Sequence, residues 1–376
     1  MNHPVHVCIA TGQNAANLIP LEQLEAQEVW ILQTPSMRDG AKNLETVLRR
    51  EGRSVKRLDF DDSSPRAIED SAQSVAEQLD GRHVILHATG GTKLMVLALR
   101  DGLRLVETGT GKLDILYAET HKQQIDWLGS DARTEAMADV LDLRQMLLVQ
   151  GYRIEGDSRH AETQQRASAR ADITRDMGEN AERYGRSFSA LATLASRAVE
   201  SNDARDLTQF FQYAPGGSFG ALVQKAHDKG LLRWDSEDSI TFADSDCARY
   251  FAGGWLEEFV FLKLTGLVKP SRFSSNLRIT SANNNVPNEI DAMLVHRNRA
   301  LLIECKTGRQ TKAQDAIYKL SQLRQQLGGS VATALYLSAQ PVDAAVLQRA
   351  KEYKIEVLAA AEVSKLVGFL KQWLNG

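Results

Sequence analysis

Between Asn288 and Lys306 the chain reads NEIDAMLVHRNRALLIECK, and no other stretch limits the fold so tightly. Two apolar runs of strand length flank His-Arg-Asn-Arg, which predicts an antiparallel hairpin with a tight turn at Arg297-Asn298. A turn centred there sets Asp291 opposite Glu304 and Glu289 opposite Lys306. Side chains alternate across a strand, so the four charged groups share one face, with paired Cβ atoms roughly 5 Å apart. Ile290, Ala292, Leu294, Leu301, Ile303 and Cys305 take the other face, which predicts chemistry on one side and core on the other.

Two carboxylates held that close repel unless a cation lies between them, and oxygen ligands suit a hard divalent ion, Mg2+ or Mn2+. A lysine beside such an ion orients or deprotonates a water for attack on phosphorus, or stabilises the charge that develops there. That is phosphodiesterase chemistry. A solvent-facing hairpin edge is the competing reading, because a one-residue change of register scatters the four groups over both faces.

The pattern D-x12-E-x-K, with Asp291 as the D and Glu304-Cys305-Lys306 as the E-x-K, resembles the PD-(D/E)XK nuclease superfamily; the proline here precedes Asn288 rather than Asp291. The resemblance implies a metal held by Asp291, Glu304 and the Cys305 carbonyl, with Lys306 activating the attacking water. It also implies a glutamate on a preceding helix. In GGWLEEFVF, Glu257 takes that place as a third catalytic and metal-binding carboxylate, and Glu258, about 100° further round the helix, faces elsewhere. A plain exposed glutamate pair stays open at 257 and 258. Glu289 is either a partner for Lys306 or a further ligand.

Upstream, apolar strands at 5–10, 28–34, 54–60 and 83–89 alternate with helical segments at 14–26, 40–51, 65–79 and 92–107. That rhythm predicts a doubly wound, mostly parallel sheet, and strands at 112–119 and 123–129 read as a hairpin on one edge. The length of 376 residues exceeds one typical domain. The expected class is α/β: a Rossmann-like domain over 1–130, a helical linker with a winged-helix-like module over 131–250, and a restriction-endonuclease-like α/β domain over 251–376.

Ligands of such sheets bind at the carboxyl ends of the strands, where helix amino termini offer N–H groups to anions. Two loops there stand out: Ala10-Thr11-Gly12-Gln13-Asn14 and Thr89-Gly90-Gly91-Thr92-Lys93. Glycines admit close backbone approach, threonines add hydroxyls and Lys93 adds charge, so a phosphate or nucleotide ligand is reasonable. Neither loop is G-x-G-x-x-G or G-x-x-x-x-G-K-[ST], which argues against NAD and ATP hydrolysis. A tight turn capped by Thr92 is the alternative.

A Rossmann-like domain with HATGGTKLM, followed by the nuclease motif, resembles the CRISPR-associated Rossmann fold (CARF) nucleases of the DUF1887 type over nearly the whole chain. The resemblance implies a homodimer sharing one cyclic oligoadenylate, usually cyclic tetra-adenylate, as allosteric activator. Thr11, Gln13 and Asn14 match the first binding loop, and Thr89, Gly90, Gly91, Thr92 and Lys93 the second. Ser36, Met37 and Arg38 follow the second strand on the same side of the sheet. Family behaviour implies nicking of DNA and cleavage of single strands; water attack on phosphorus needs no 2′-hydroxyl, so RNA is admitted beside DNA.

The net charge of -3 argues against binding nucleic acid by bulk electrostatics, so any such contact needs a local patch. Arg297, Arg299, Arg309, Lys312, Lys319 and Arg324 are the expected patch around the metal, with Gln322 in phase to hold a water or phosphate. Residues from Asp131 read as helical, and 160–185 as a polar linker or exposed helix. Two helices and a ribbon between Ser187 and Asp244 suggest a winged helix whose weak basic face fits a spacer better than a DNA reader. Three scattered cysteines, the lack of a basic-then-apolar leader and the lack of any run of ~18 apolar residues predict a soluble cytoplasmic protein without membrane contact. A nucleotide-responsive DNA-binding regulator with an inactive nuclease domain, or a constitutive repair or restriction nuclease, are the rival functions.

Overall fold

A computed structural model describes residues 3–107, 111–156, 161–200, 207–282, 285–308 and 313–376. The chain opens with β1 (Val5–Ile9), α1 (Ala15–Gln23), β2 (Glu28–Gln33), α2 (Arg38–Arg50), β3 (Ser54–Asp59), α3 (Pro65–Glu77), β4 (His83–His87), α4 (Lys93–Glu107), β5 (Lys112–Glu119), β6 (Gln124–Leu128) and β7 (Arg133–Ala136). These strands form one sheet in the order β3-β2-β1-β4-β5-β6-β7. The first five are parallel, and β6 and β7 run antiparallel at the edge.

Every residue of β1 is buried, as expected of a central strand covered by helices on both faces. Strand order reverses between β1 and β4, so the loops that leave these two strands flank the crevice where such sheets take ligands. Residues 133–136, expected to be helical, instead add a strand. Charged side chains suit this edge, and the Arg133 guanidinium lies 4.3 Å over the Trp127 ring on β6.

After α5 (Leu143–Val149) comes β8 (Tyr152–Gly156), which belongs to a second sheet. Its other strands are β12 (Phe273–Ser281), β13 (Pro287–His296), β14 (Arg299–Lys306), β15 (Ala332–Ser338) and β16 (Glu356–Ala359), in the order β16-β15-β14-β13-β12-β8. The second sheet thus recruits a strand about a hundred residues ahead of 251. Neither β8 nor β12 was expected from the sequence. Helices α12 (Ala313–Leu327), α13 (Ala344–Glu352) and α14 (Leu366–Asn375) complete this unit.

Helices α6 (Ala161–Ala169), α7 (Ala171–Glu179) and α8 (Ala181–Glu200) fill most of the interval between the sheets. Ile173, Met177, Phe188 and Leu191 are buried in the same core as Trp255 and Phe259 of α11 (Trp255–Thr265). The expected linker is therefore a wall of the carboxyl-terminal core. Its apolar residues recur at helical spacing among the charges, and that stripe was the legible signal. A small sheet of β9 (Thr208–Phe210), β10 (Leu232–Ser236) and β11 (Ser239–Phe242) flanks α9 (Gly217–Asp228), a winged-helix-like arrangement that rests on α8. A short α10 (Ser245–Arg249) then leads through a π-helical turn at Tyr250–Gly254 into α11.

One apolar core joins the two sheets. Val29 and Ile31 of the first share it with Met293, Val295, Ala300 and Leu302 of the β13–β14 hairpin.

Candidate functional site

The hairpin forms in the expected register, with Ala292 opposite Ile303 and His296 opposite Arg299. Arg297 and Asn298 both adopt left-handed backbones, φ 50° and 57°, as a two-residue type I′ turn requires. The expected division into one chemical and one apolar face does not hold. Met293, Val295, Ala300 and Leu302, which share a side with Asp291 and Glu304, are fully buried, and so are Ala292, Leu294, Leu301 and Ile303 opposite. Strands 13 and 14 are interior strands of a sheet covered on both sides, so charge is confined to their frayed end.

That end is where the site lies. Paired backbone contacts between β13 and β14 stop at Ala292 and Ile303. Beyond them Asp291 turns its side chain into the gap, and its Oδ2 accepts the Cys305 N–H at 2.6 Å. On its other side β12 bends at Asn276, whose φ is 48°, so Asn276 drops out of a ladder that pairs Ser275 with Ala292 and Leu277 with Ile290. A break of this kind re-aims side chains out of a sheet.

Three predicted metal donors converge on one point. Lys306 Nζ lies 2.5 Å from Glu304 Oε1, 3.2 Å from the Cys305 carbonyl oxygen and 3.9 Å from Asp291 Oδ2. An ammonium occupies the focus of an all-oxygen donor set, the chemistry that suits Mg2+ or Mn2+. Among the described residues, no three His, Cys, Asp or Glu side chains are already placed to hold an ion. The donor types therefore fit a divalent cation, with side-chain rearrangement needed to ligate it.

Glu257 comes from the first turn of α11. The turn at 250–254 lays this helix start against the end of β14, where the Thr307 hydroxyl donates to the Ala252 carbonyl at 3.4 Å. π-Turns of this kind recur at functional sites. Burial, then the Asp291 and Glu289 charges, push the Glu257 carboxyl up to about 8. Burial and Glu304 likewise push Asp291 up to about 6. Burial opposes the charge on Lys306, but Glu304 and Asp291 outweigh it and hold the ammonium protonated. Glu289 is exposed at the rim. Glu258 lies outside the donor set and pairs with Arg170 at 2.9 Å.

Among the described residues, the expected basic patch does not assemble. Arg297 and Arg299 sit at the turn, roughly 20 Å of strand from Asp291, and Arg299 donates to the Trp373 carbonyl. Arg324 reaches the Ala332 carbonyl at the start of β15, whereas Glu304 aligns with Tyr336 near its end. Lys319 and Gln322 stand exposed on α12, and Arg309 and Lys312 lie outside the described residues. Arginines from elsewhere stand near Glu257: Arg166, Arg170 and Arg249 line a cleft of about 350 Å³ together with Glu257 and Asn276. The spacing of Arg166 and Arg170, one helical turn apart, was their only sequence signal.

In the first domain the two loops touch. A Cβ on Gly90 would come 2.4 Å from the Ile9 carbonyl and 3.0 Å from Thr11 Cγ2, and Gly91 has φ +83°, so both positions require glycine. Gly91, Thr92 and Lys93 are exposed at the crevice, and Thr92 Oγ1 caps α4 through Met95 N. Thr11 and Thr89 are half-buried; their hydroxyls accept from Gln13 N and Ala118 N. Asn14 is 1% exposed, and its amide is committed to Thr11, Asn17 and Gly40, so it shapes the loop. Gln13 points away, donating to the Gln325 carbonyl on α12 and accepting from Gln150. Arg38 is exposed, paired with Asp59 at 3.6 Å.

Two family profiles match the chain, a Card1 CARF domain over residues 5–145 and a Card1-like endonuclease domain over residues 244–375. No curated protein matches it. Among solved structures, protein VC1899 from Vibrio cholerae is similar with a TM-score of 0.85 at 22% identity, over 99% of this chain and 98% of its own. Can2 from Sulfobacillus thermosulfidooxidans, in complex with cyclic tetra-adenylate, gives 0.80 at 22% identity over 100% of both chains. A type III CRISPR defence DNA nuclease activated by cyclic oligoadenylate gives 0.54 at 18% identity, over 90% of this chain and 45% of that one. At such identities the structural likeness is one of fold. Among the described residues, no helix is long and apolar enough to cross a membrane.

Proposed function

We propose that this protein, a CARF endonuclease of the Card1 type, is a Mg2+- or Mn2+-dependent nuclease that cyclic tetra-adenylate activates to cleave DNA in type III CRISPR defence. The observation that carries this reading is the convergence of Glu304, the Cys305 carbonyl and Asp291 on one cation position at the frayed hairpin end. A divalent ion held by Asp291, Glu304, the Cys305 carbonyl and Glu257 would supply Lewis-acid polarisation of the scissile phosphate.

The chain's own groups do the rest. Lys306, held protonated between two carboxylates, donates hydrogen bonds; it orients a water and stabilises negative charge developing on phosphorus rather than removing a proton. The Cys305 N–H fixes the rotamer of Asp291. Burial raises the Glu257 carboxyl to about 8 in the absence of a cation, and ligation of the ion would release that proton.

Activation fits the architecture. Gly91, Thr92 and Lys93 face the crevice with an exposed backbone and a positive charge, as an oligoadenylate requires, and Can2, of the same fold, binds cyclic tetra-adenylate. Beside them Leu94 and Leu97 of α4 are exposed, apolar surface that the second copy of a homodimer would cover. Gln13 links this domain to helix α12, and Asn298 links the β13–β14 hairpin to Leu141, by hydrogen bonds.

The test is a supercoiled plasmid and a single-stranded RNA, each incubated with Mn2+ with and without cyclic tetra-adenylate. Nicking that needs both metal and activator, and that Lys306→Ala abolishes without loss of activator binding, is the expected result. Equal nicking without activator would make the protein a constitutive nuclease, and sequence-specific DNA binding without cleavage would make it a regulator.

A further inference from the structure

The nuclease reading leaves unexplained how a polyanion approaches a centre of four carboxylates in a chain of net charge -3. The cleft of about 350 Å³ beside Glu257 answers this. One wall comes from α6 and α7, between the segments that the two family profiles cover, and the other from α10 and the bent strand β12 at Ser275 and Asn276.

Its charges are arranged in a relay. Arg170 has 12% of its side chain exposed and acts as the buried post: it pairs with Glu258 at 2.9 Å and Asp246 at 3.0 Å, with its guanidinium 4.5 Å over the Tyr250 ring. The other oxygen of Asp246 takes Arg166 at 2.8 Å, which fixes that half-exposed side chain towards the cleft. Arg249 is exposed one helical turn from Asp246. Three guanidinium groups offset the three carboxylates of the lining, Asp246, Glu257 and Glu258, so the cleft is balanced in charge next to an anionic centre, and Arg249 and Arg166 are its exposed cations.

Resting on the nuclease reading, we propose that this cleft seats the nucleic-acid strand beside the scissile bond, with Arg166 and Arg249 holding its backbone phosphate and Arg170 positioning Arg166 through Asp246. Asn276, exposed where β12 bends beside Asp291, contacts the nucleotide next to the reacting phosphate. The recognition is of backbone, so it is independent of sequence and depends on salt.

The test uses the full-length chain carrying Lys306→Ala to prevent cleavage, with cyclic tetra-adenylate and Mn2+ present. A fluorescent single-stranded DNA is titrated by anisotropy at several salt concentrations. Arg166→Ala and Arg249→Ala are each expected to weaken binding about tenfold and to lower the salt slope by about 1. Arg249→Lys keeps a charge for phosphate and restores most of the affinity. Thermal unfolding checks that each variant is folded. Folded alanine variants that bind with wild-type affinity and salt slope overturn the assignment, as does a loss that is the same at every salt concentration and that lysine fails to rescue. If the wild-type chain, with Lys306 in place, cleaves neither DNA nor RNA with metal and activator, the nuclease reading falls and the cleft assignment with it.

Discussion

The side-chain oxygen of Asn298, at the tip of the hairpin that carries Asp291 and Glu304, accepts the backbone N–H of Leu141 at 3.0 Å. The same oxygen takes Val140 N, and the Asn298 amide donates to the Ala138 carbonyl at 2.7 Å. Asn298 is 1% exposed, so these bonds form out of water, and they tie the catalytic hairpin to the segment that leaves the sensing sheet. Arg272 reinforces the tie through Asp139 at 2.8 Å.

Asn298→Ala removes three hydrogen bonds and puts an alanine at φ 57°. At ~1 kcal/mol for each bond and ~1–2 kcal/mol for the backbone, a loss of about 4–5 kcal/mol is expected in urea unfolding. Asn298→Gly keeps the turn conformation and isolates the hydrogen-bond part. A glycine variant as stable as wild type would show that the tie contributes nothing.

Stability should fall as pH rises above neutrality in the absence of metal. The Glu257 carboxyl is pushed up to about 8, above its value in an unfolded chain, so the folded state holds a proton that the unfolded state has lost. Protons bound preferentially by the folded state mean stability falling with pH until about 8, by up to ~1.4 kcal/mol per pH unit for one such group. Melting temperatures with a chelator between pH 6.5 and 8.5 should therefore decline, and Glu257→Gln should flatten the decline. Added Mn2+ should reverse it, most strongly at the alkaline end, because ligation releases the protons.

On the acid side the sensing sheet is the weak point. His6 and His87 share a hydrogen bond of 2.9 Å between β1 and β4, and burial holds His6 down to about 4 and His87 well below its usual range. Both are neutral in the folded chain and become charged on unfolding, so their contribution is complete above ~6.5 and is lost as pH falls towards 4. Unfolding by acid should begin in the amino-terminal domain, seen by hydrogen exchange as early loss of protection in β1 and β4. First loss in β13 and β14 would contradict this.

The hairpin register was legible because a two-residue turn and period-two side chains leave few alternatives, and Asp291, Glu304 and Lys306 meet accordingly. The doubly wound sheet was legible for the same reason, its strands being continuous apolar runs. What failed depended on partners distant in sequence. Apolar residues opposite the charges say that one face is buried; only α5, α12 and the first domain, none of them encoded in the hairpin, bury the other. Arg297 and Arg299 looked close to the site because they are close in sequence, yet a hairpin carries its turn away from its open end. Asn14 had the composition of a ligand residue, and its amide was spent on backbone.

Gln13 offers the sharpest separation of sensing from catalysis. It sits in the loop after β1, but its amide donates to the Gln325 carbonyl at 3.0 Å on α12 and its oxygen accepts from Gln150 beyond α5. A ligand that moves the loop must move or break these bonds, which are the loop's direct polar contact with the nuclease helix among the described residues. Gln13→Ala should bind cyclic tetra-adenylate within about twofold of wild type, since its amide does not face the crevice. Metal-dependent nicking should respond to activator at least tenfold less, a coupling change of about 1.4 kcal/mol. Calorimetry of activator binding alongside the plasmid assay distinguishes the outcomes: affinity and activation falling together would return Gln13 to the binding site, and activation falling alone identifies it as part of the connection between the two domains.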